Sequence, residues 1–129
     1  MPNKHTPVIY IVDDEHSVRK AMERLMISME MKVRTFSSGE GFLEEKFSDN
    51  NTCLIADIKM SPMGGLELQR KLIKRGSKIP IIFITAFDSE TVRQEAKEAG
   101  AAGYFLKPVD AQALIDSIRW ALSLKSSGH

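Results

Sequence analysis

Asp13 and Asp14 stand side by side, with Glu15 behind them, directly after the apolar run Val8 to Val12. Asp57 follows the run Cys53 to Ala56, Thr85 follows Ile81 to Ile84, and Lys107 with Pro108 follows Tyr104 to Leu106. Carboxylates gathered in one place repel, and their ionised form is costly unless a cation joins them. Oxygen donors alone, with no Cys and no well-placed His beside them, favour a hard divalent ion such as Mg²⁺. That ion takes one or two carboxylates and completes its octahedron with water, carbonyls and phosphate oxygens. Lys107 would then offer a compact positive charge to a phosphoryl group, and the Thr85 hydroxyl a hydrogen bond to another of its oxygens. The chemistry this set supports is phosphoryl transfer to a carboxylate, with metal and lysine offsetting the charge on the transferring group.

Such chemistry requires residues far apart in the chain to be gathered, and the sequence contains elements that can do so. The four apolar runs are short and rich in β-branched residues, and do not alternate with polar ones, as expected of strands buried on both faces. A further, weaker strand is predicted over Lys32 to Phe36. Between the runs the period changes. Val18, Ala21, Met22, Leu25, Met26 and Met29 form one helical stripe, and Ala111, Leu114, Ile115, Ile118 and Leu122 another. Shorter helices are predicted over Glu40 to Lys46, Leu66 to Arg75 and Glu90 to Ala99, with Gly76 and Gly100 placed as C-terminal stops. Strand and helix therefore alternate five times, which predicts an α/β fold with a five-stranded parallel sheet, doubly wound, and right-handed crossovers. In such a sheet ligands sit outside the carboxyl ends of the strands, where Asp13, Asp14, Asp57, Thr85 and Lys107 all fall.

Composition limits the alternatives. The 129 residues suit one domain, and Lys+Arg 18 against Asp+Glu 17 leaves a net charge of +1, so no global field favours nucleic acid or an anionic membrane. No DNA or membrane partner is expected for the domain itself. The single cysteine, Cys53, allows no internal disulfide and reads as a small buried hydrophobe, which suits a cytoplasmic setting. No signal-peptide pattern opens the chain, and no apolar run approaches the ~18 residues of a membrane span. Residues 1–7 are expected to form an N-terminal extension, 8–124 the domain, and 125–129 a disordered tail.

From Val8 to about Leu124 the chain resembles a response-regulator receiver domain of two-component signalling. The resemblance rests on the acidic pair after the first strand, on Asp57 opening DIKMSPMGG, on Thr85-Ala86 and on YFLKP. It implies the flavodoxin-like fold with strand order 2-1-3-4-5. It further implies that Asp57 is the phosphoacceptor, that Asp13 and Asp14 bind Mg²⁺ with Asp57 and the Lys59 carbonyl, and that Lys107 senses phosphate. Thr85 and Tyr104 match the switch pair, and a cis peptide is implied before Pro108. Receivers of this pattern usually carry proline where Ser61 stands, whereas here it comes one residue later, at Pro62. The stretch Asp57 to Leu72 is most like receivers attached to DNA-binding output domains, which implies a role in transcription regulation.

The resemblance also implies the partners. A sensor histidine kinase or phosphotransfer protein would donate the phosphoryl group, and output would pass through the fourth helix, fifth strand and fifth helix, including homodimerisation on phosphorylation. The domain would promote its own phosphorylation and dephosphorylation without being a turnover enzyme. Three rival readings fit the residues less well. A phosphatase using an aspartyl phosphate wants a second Asp two residues after the nucleophile, where this chain has Lys59. A flavin-binding module wants a phosphate-cradling loop where it has Asp13-Asp14-Glu15. A constitutive scaffold has no use for an intact site. His5 and His16 have no third soft ligand beside them and read as surface residues. Trp120 points off its helix stripe, towards solvent. Lys59 and Phe87 are expected to project over the mouth of the site.

Overall fold

The structure is a computed structural model that describes the backbone of residues 6–127 and the side chains of residues 6–124; His5 lies outside these. In chain order the elements are β1 (Val8–Val12), α1 (His16–Ser28), β2 (Lys32–Phe36), α2 (Gly39–Leu43), β3 (Thr52–Asp57), α3 (Gly65–Lys74), β4 (Ile81–Thr85), α4 (Glu90–Glu98), β5 (Gly103–Leu106) and α5 (Ala111–Ser127). All strand pairs are parallel, and the order across the sheet is β2-β1-β3-β4-β5. This is the fold and strand order expected from the sequence.

Alternation along each strand sorts the core into two layers. Tyr10, Val12, Leu54, Ala56, Ile81 and Phe83 face Phe42 of α2, Leu68 and Leu72 of α3 and Ala96 of α4. Ile9, Ile11, Cys53, Ile55, Ile82 and Ile84 face Met22 and Met26 of α1 and Leu114, Ile118 and Ala121 of α5. Every residue of β3 and β4 is buried, as a central strand between two helical layers must be. At the edge, β5 is only half-buried and Leu106 is exposed, so full burial fails for that run, which has a neighbour on one side only.

Several boundaries depart from expectation, each for a local reason. The helix predicted over Glu40 to Lys46 is the five-residue α2, capped by the Ser38 hydroxyl, which accepts from Gly41 N at 3.0 Å. It stops early because the chain turns to stack Phe47 on Phe42, with ring centroids 5.0 Å apart, while Arg34 pairs with Glu45 at 2.7 Å. Ala21 and Ala111, assigned to inward stripes, are exposed; a methyl group contributes little burial and does not decide a helix's rotation. Helix α5 continues through Ser127, so residues 125–127, expected in a disordered tail, are helical; 128 and 129 lie outside the described residues.

Gly76 and Gly100 do terminate their helices. Both have positive φ, at 82° and 97°, and the residue after each closes a long bond, Ser77 N to Leu72 O and Ala101 N to Ala96 O. Glu30 performs the same turn after α1 at φ 61°, a conformation that costs a side-chain-bearing residue energy glycine does not spend.

Candidate functional site

Strand register brings the acidic residues together. β1 and β3 pair with Ile11 opposite Ile55 and Val12 opposite Ala56, so one further step sets Asp13 beside Asp57. Both continue the row of Ile9, Ile11, Cys53 and Ile55, and therefore leave the sheet on the α1/α5 side. Asp13 is fully buried and Asp57 only 4% exposed, whereas Asp14, one residue on, faces solvent. Ligand oxygens of Asp13, Asp14 and Asp57 all lie within 4.8 Å of one another, a spacing that could hold a metal ion.

The buried pair is neutralised in part by Lys107, which enters from the end of β5. Its Nζ lies 3.0 Å from Asp13 Oδ2, 3.1 Å from Glu15 Oε1 and 3.4 Å from Asp57 Oδ2. The contact with Asp13 is close but misaligned for hydrogen bonding, so Oδ2 of that buried carboxylate has no hydrogen-bond partner. A buried carboxylate oxygen whose one close contact is an ion pair, set beside two other acidic oxygens, fits a hard cation, and the all-oxygen donor set fits Mg²⁺ better than a softer metal. The remaining oxygens are held by backbone: Asp13 Oδ1 accepts from Glu15 N at 2.9 Å, and Asp57 Oδ1 from Lys59 N at 3.2 Å.

Charge and burial act in opposition here. Burial, followed by the charge of Asp13, pushes the Asp57 carboxyl above its ordinary value, and Lys107 and the Lys59 N–H offset only part of that. Burial alone would lower the Lys107 amine. Its contacts with Asp13 and Glu15 and the charges of Asp13 and Asp57 outweigh that, so the ammonium is held above the ordinary lysine value.

The remaining residues singled out by sequence are distributed as follows. Thr85 ends β4, fully buried, and its Oγ1 accepts from Phe87 N at 3.0 Å rather than bonding to Asp57. Its carbonyl accepts from Lys107 N at 2.8 Å, which fixes the start of the lysine's loop. Tyr104 is half-buried on β5; its hydroxyl is enclosed without a hydrogen-bond partner, and the Arg93 guanidinium lies 4.9 Å from its ring centre. Lys59 reaches the site through its backbone N–H, and its ammonium sits 4.1 Å above the Phe87 ring. Lys107–Pro108 is cis, as the resemblance implies, and so is Ser61–Pro62. Trp120 is 55% exposed and lies away from the site, by the amino ends of β4 and β5, where it lines a cavity of about 270 Å³ with Ile73 and Leu124.

Sequence reasoning gave no role to Glu15 or Arg93. Glu15 stood in plain view behind the acidic pair, but its pairing with Lys107 spans 92 residues and has no local signal. Arg93 is one charge among several on a polar helix, and only the packed structure selects it.

Glycine permits the tightest approach near Asp57. A Cβ on Gly65 would stand 2.5 Å from the Asp57 carbonyl oxygen and 3.0 Å from Ile58 Cα. Its absence lets Gly65 N donate to Ile58 O at 2.9 Å and docks the start of α3 against the end of β3.

Similarity to known proteins follows the same outline. The chain is 41% identical over 122 residues to the response regulator protein TmoT of Ectopseudomonas mendocina, covering 95% of this chain and 56% of that one. It is 38% identical over 116 residues to the transcriptional regulatory protein TdiR of Thauera aromatica, covering 90% and 51%. It therefore spans about half the length of these curated relatives. Among solved structures, response regulator StyR superposes with a TM-score of 0.87 at 38% identity, covering 95% of this chain and 62% of that one. No helix among the described residues is long and apolar enough to cross a membrane. Residues 9–119 match the family described as the response regulator receiver domain, and this chain belongs to that family.

Proposed function

We propose that Asp57 receives a phosphoryl group from a histidine kinase or phosphotransfer protein, and that the domain itself promotes the transfer. The observation that carries this reading is the placement of Asp57, at the end of the central strand, against Asp13 and Lys107. An Asp57 oxygen attacks phosphorus, the P–N bond of the donor phosphohistidine breaks, and the imidazole leaves with its electron pair and takes a proton from solvent. An acyl phosphate on Asp57 results. Asp13, Asp14 and Asp57, with the Lys59 carbonyl, would hold Mg²⁺, which supplies charge neutralisation for the phosphoryl oxygens. Lys107 offers its ammonium to the same oxygens, and the buried Asp13 keeps that cationic end oriented.

The output follows from a shift of the Thr85 hydroxyl. A new anion at Asp57 attracts it away from Phe87 N, which vacates space towards Tyr104. The Tyr104 hydroxyl, buried without a partner, gains by turning inward, and Arg93 above its ring must then move with α4. Helix α4 is lightly held: Ala96 is its buried residue, Val92 packs partly, and Gln69 Nε2 donates to the Ala96 carbonyl at 3.3 Å. Output therefore passes through α4, β5 and α5, where phosphorylation promotes partner binding or homodimerisation, with Trp120 near the contact. The names of the relatives support transcription regulation as the process served.

The test is incubation with a small-molecule phosphodonor, with and without Mg²⁺, followed by intact mass and peptide mapping. One phosphoryl group on Asp57, dependent on Mg²⁺ and absent from Asp57→Asn, is the expected result. Full labelling of that variant on another residue overturns the assignment.

A further inference from the structure

Lys107 touches three carboxylates, and they are not equivalent. Asp13 and Asp57 are buried and belong to the oxygen cluster, whereas the Glu15 side chain is 58% exposed and lies outside it. The ammonium rests on Asp13 Oδ2 and Asp57 Oδ2, in a cluster that would serve a divalent cation. Lysine and metal therefore compete, and an ammonium leaving those oxygens needs another anion within reach. Glu15 supplies one at 3.1 Å, and its backbone is tied to the site because Glu15 N donates to Asp13 Oδ1 at 2.9 Å. Glu15 is also the N-cap of α1 with extended backbone, and its side chain forms no capping bond. Its carboxylate is thus free of the usual local duty and turned to the lysine.

We propose that Glu15 is a positioning residue for Lys107, holding the ammonium at the rim of the site so that the Asp13 and Asp57 oxygens remain available to a divalent cation. This rests on reading the cluster as a Mg²⁺ site. The inference differs from simple attraction between Glu15 and the metal, because the effect runs through Lys107 and disappears when the lysine is removed.

A double-mutant cycle separates the two. Mg²⁺ is titrated against wild type, Glu15→Gln, Lys107→Met and the double variant without phosphodonor, and binding is read from backbone amide shifts around Asp57. Glu15→Gln keeps shape and fold at an exposed position, and should weaken Mg²⁺ binding about five-fold, within the coupling expected of contacting charged groups. In the Lys107→Met background the same substitution should change affinity by less than about 1.5-fold, as independent sites do. Equal weakening in both backgrounds, or no weakening in the first, overturns the proposal while leaving the metal site intact. Failure of the wild type to bind Mg²⁺ overturns both readings.

Discussion

Replacing Gly65 by alanine tests how closely the strand that ends in Asp57 depends on the helix that follows it. The new Cβ would meet the Asp57 carbonyl oxygen at 2.5 Å, Ile58 Cα at 3.0 Å and Phe83 Cε1 at 3.1 Å. Two of these are backbone atoms, so no side-chain rotation relieves the clash. The start of α3 must withdraw by at least half an ångström, which stretches the 2.9 Å bond from Gly65 N to Ile58 O. Overpacking of this kind costs ~1–3 kcal/mol. Alanine's better helix propensity returns up to ~1 kcal/mol. The net loss of about 1–2 kcal/mol should lower Tm by roughly 4–8 °C for a domain of this size. Because the group displaced is Asp57 itself, labelling should slow as well; misplacement by ~1 Å can cost ~10²-fold, so about 10-fold is expected here. Thermal denaturation and the initial rate of phosphodonor labelling at saturating Mg²⁺ measure both effects. Gly76→Ala is the control: at φ 82° with open space around it, it should lose stability without slowing labelling. A Gly65→Ala protein that melts at or above the wild-type temperature and labels at the wild-type rate would refute the reasoning.

Three other outcomes are expected. Burial and the neighbouring charge of Asp13 hold the Asp57 carboxyl above its ordinary value, so its ionisation opposes folding: the cost is absent in acid, where the group is protonated in both states, and is fully present once pH has risen through the folded value. Metal-free Asp57→Asn should therefore melt higher than wild type at neutral pH, with the gap closing as pH falls and the carboxyl becomes protonated in both folded and unfolded chains; a gap independent of pH contradicts this. Mg²⁺ at ~100 times its Kd should stabilise wild type by about 2.7 kcal/mol, and the Asp13→Asn, Asp14→Asn protein hardly at all; an equal rise in Tm for both rejects the cluster as the site. Lys59 and Phe87 stack across the mouth of the site and offer no group that positions a hydrolytic water, so Lys59→Asn with Phe87→Glu should speed loss of phosphate ~10-fold, about 1.4 kcal/mol of barrier. Equal decay rates at saturating Mg²⁺ would show that the pair does not shield the phosphate.

The elements and the central cluster were legible in the sequence because parallel strands leave no choice of edge. Once Val8 to Val12 and Cys53 to Ala56 are strands in one parallel sheet, Asp13 and Asp57 must emerge at the same end. What was not legible depends on contacts between distant parts. The early stop of α2 is set by Phe47 reaching Phe42 and Tyr10, and the period of Glu40 to Lys46 carries no trace of it. The stack of Arg93 on Tyr104 depends on a charge whose position reads as ordinary surface, and although Lys59 and Phe87 were both expected over the mouth of the site, nothing in their spacing says that one rests on the other. The cis geometry at Ser61–Pro62 is equally unannounced, since a shifted proline in a loop does not declare its isomer. Alanines on the predicted stripes failed as markers because burial of one methyl group is too small a reward to orient a helix.

The three-way grip on Lys107 joins residues 13 and 15, residue 57 and residue 107, with separations of 92 and 50 positions for the Glu15 and Asp57 contacts. Loop closures of that length come late, after the strands between them have paired, because their entropy must be met before the contact yields anything. A nascent chain that has emerged only through β4 already displays Asp57 but has no lysine to set against it. The complete arrangement of Asp13, Glu15, Asp57 and Lys107 is consequently a property of the finished molecule alone: an unfinished or unravelled copy carries the acidic residues without the ammonium that joins them.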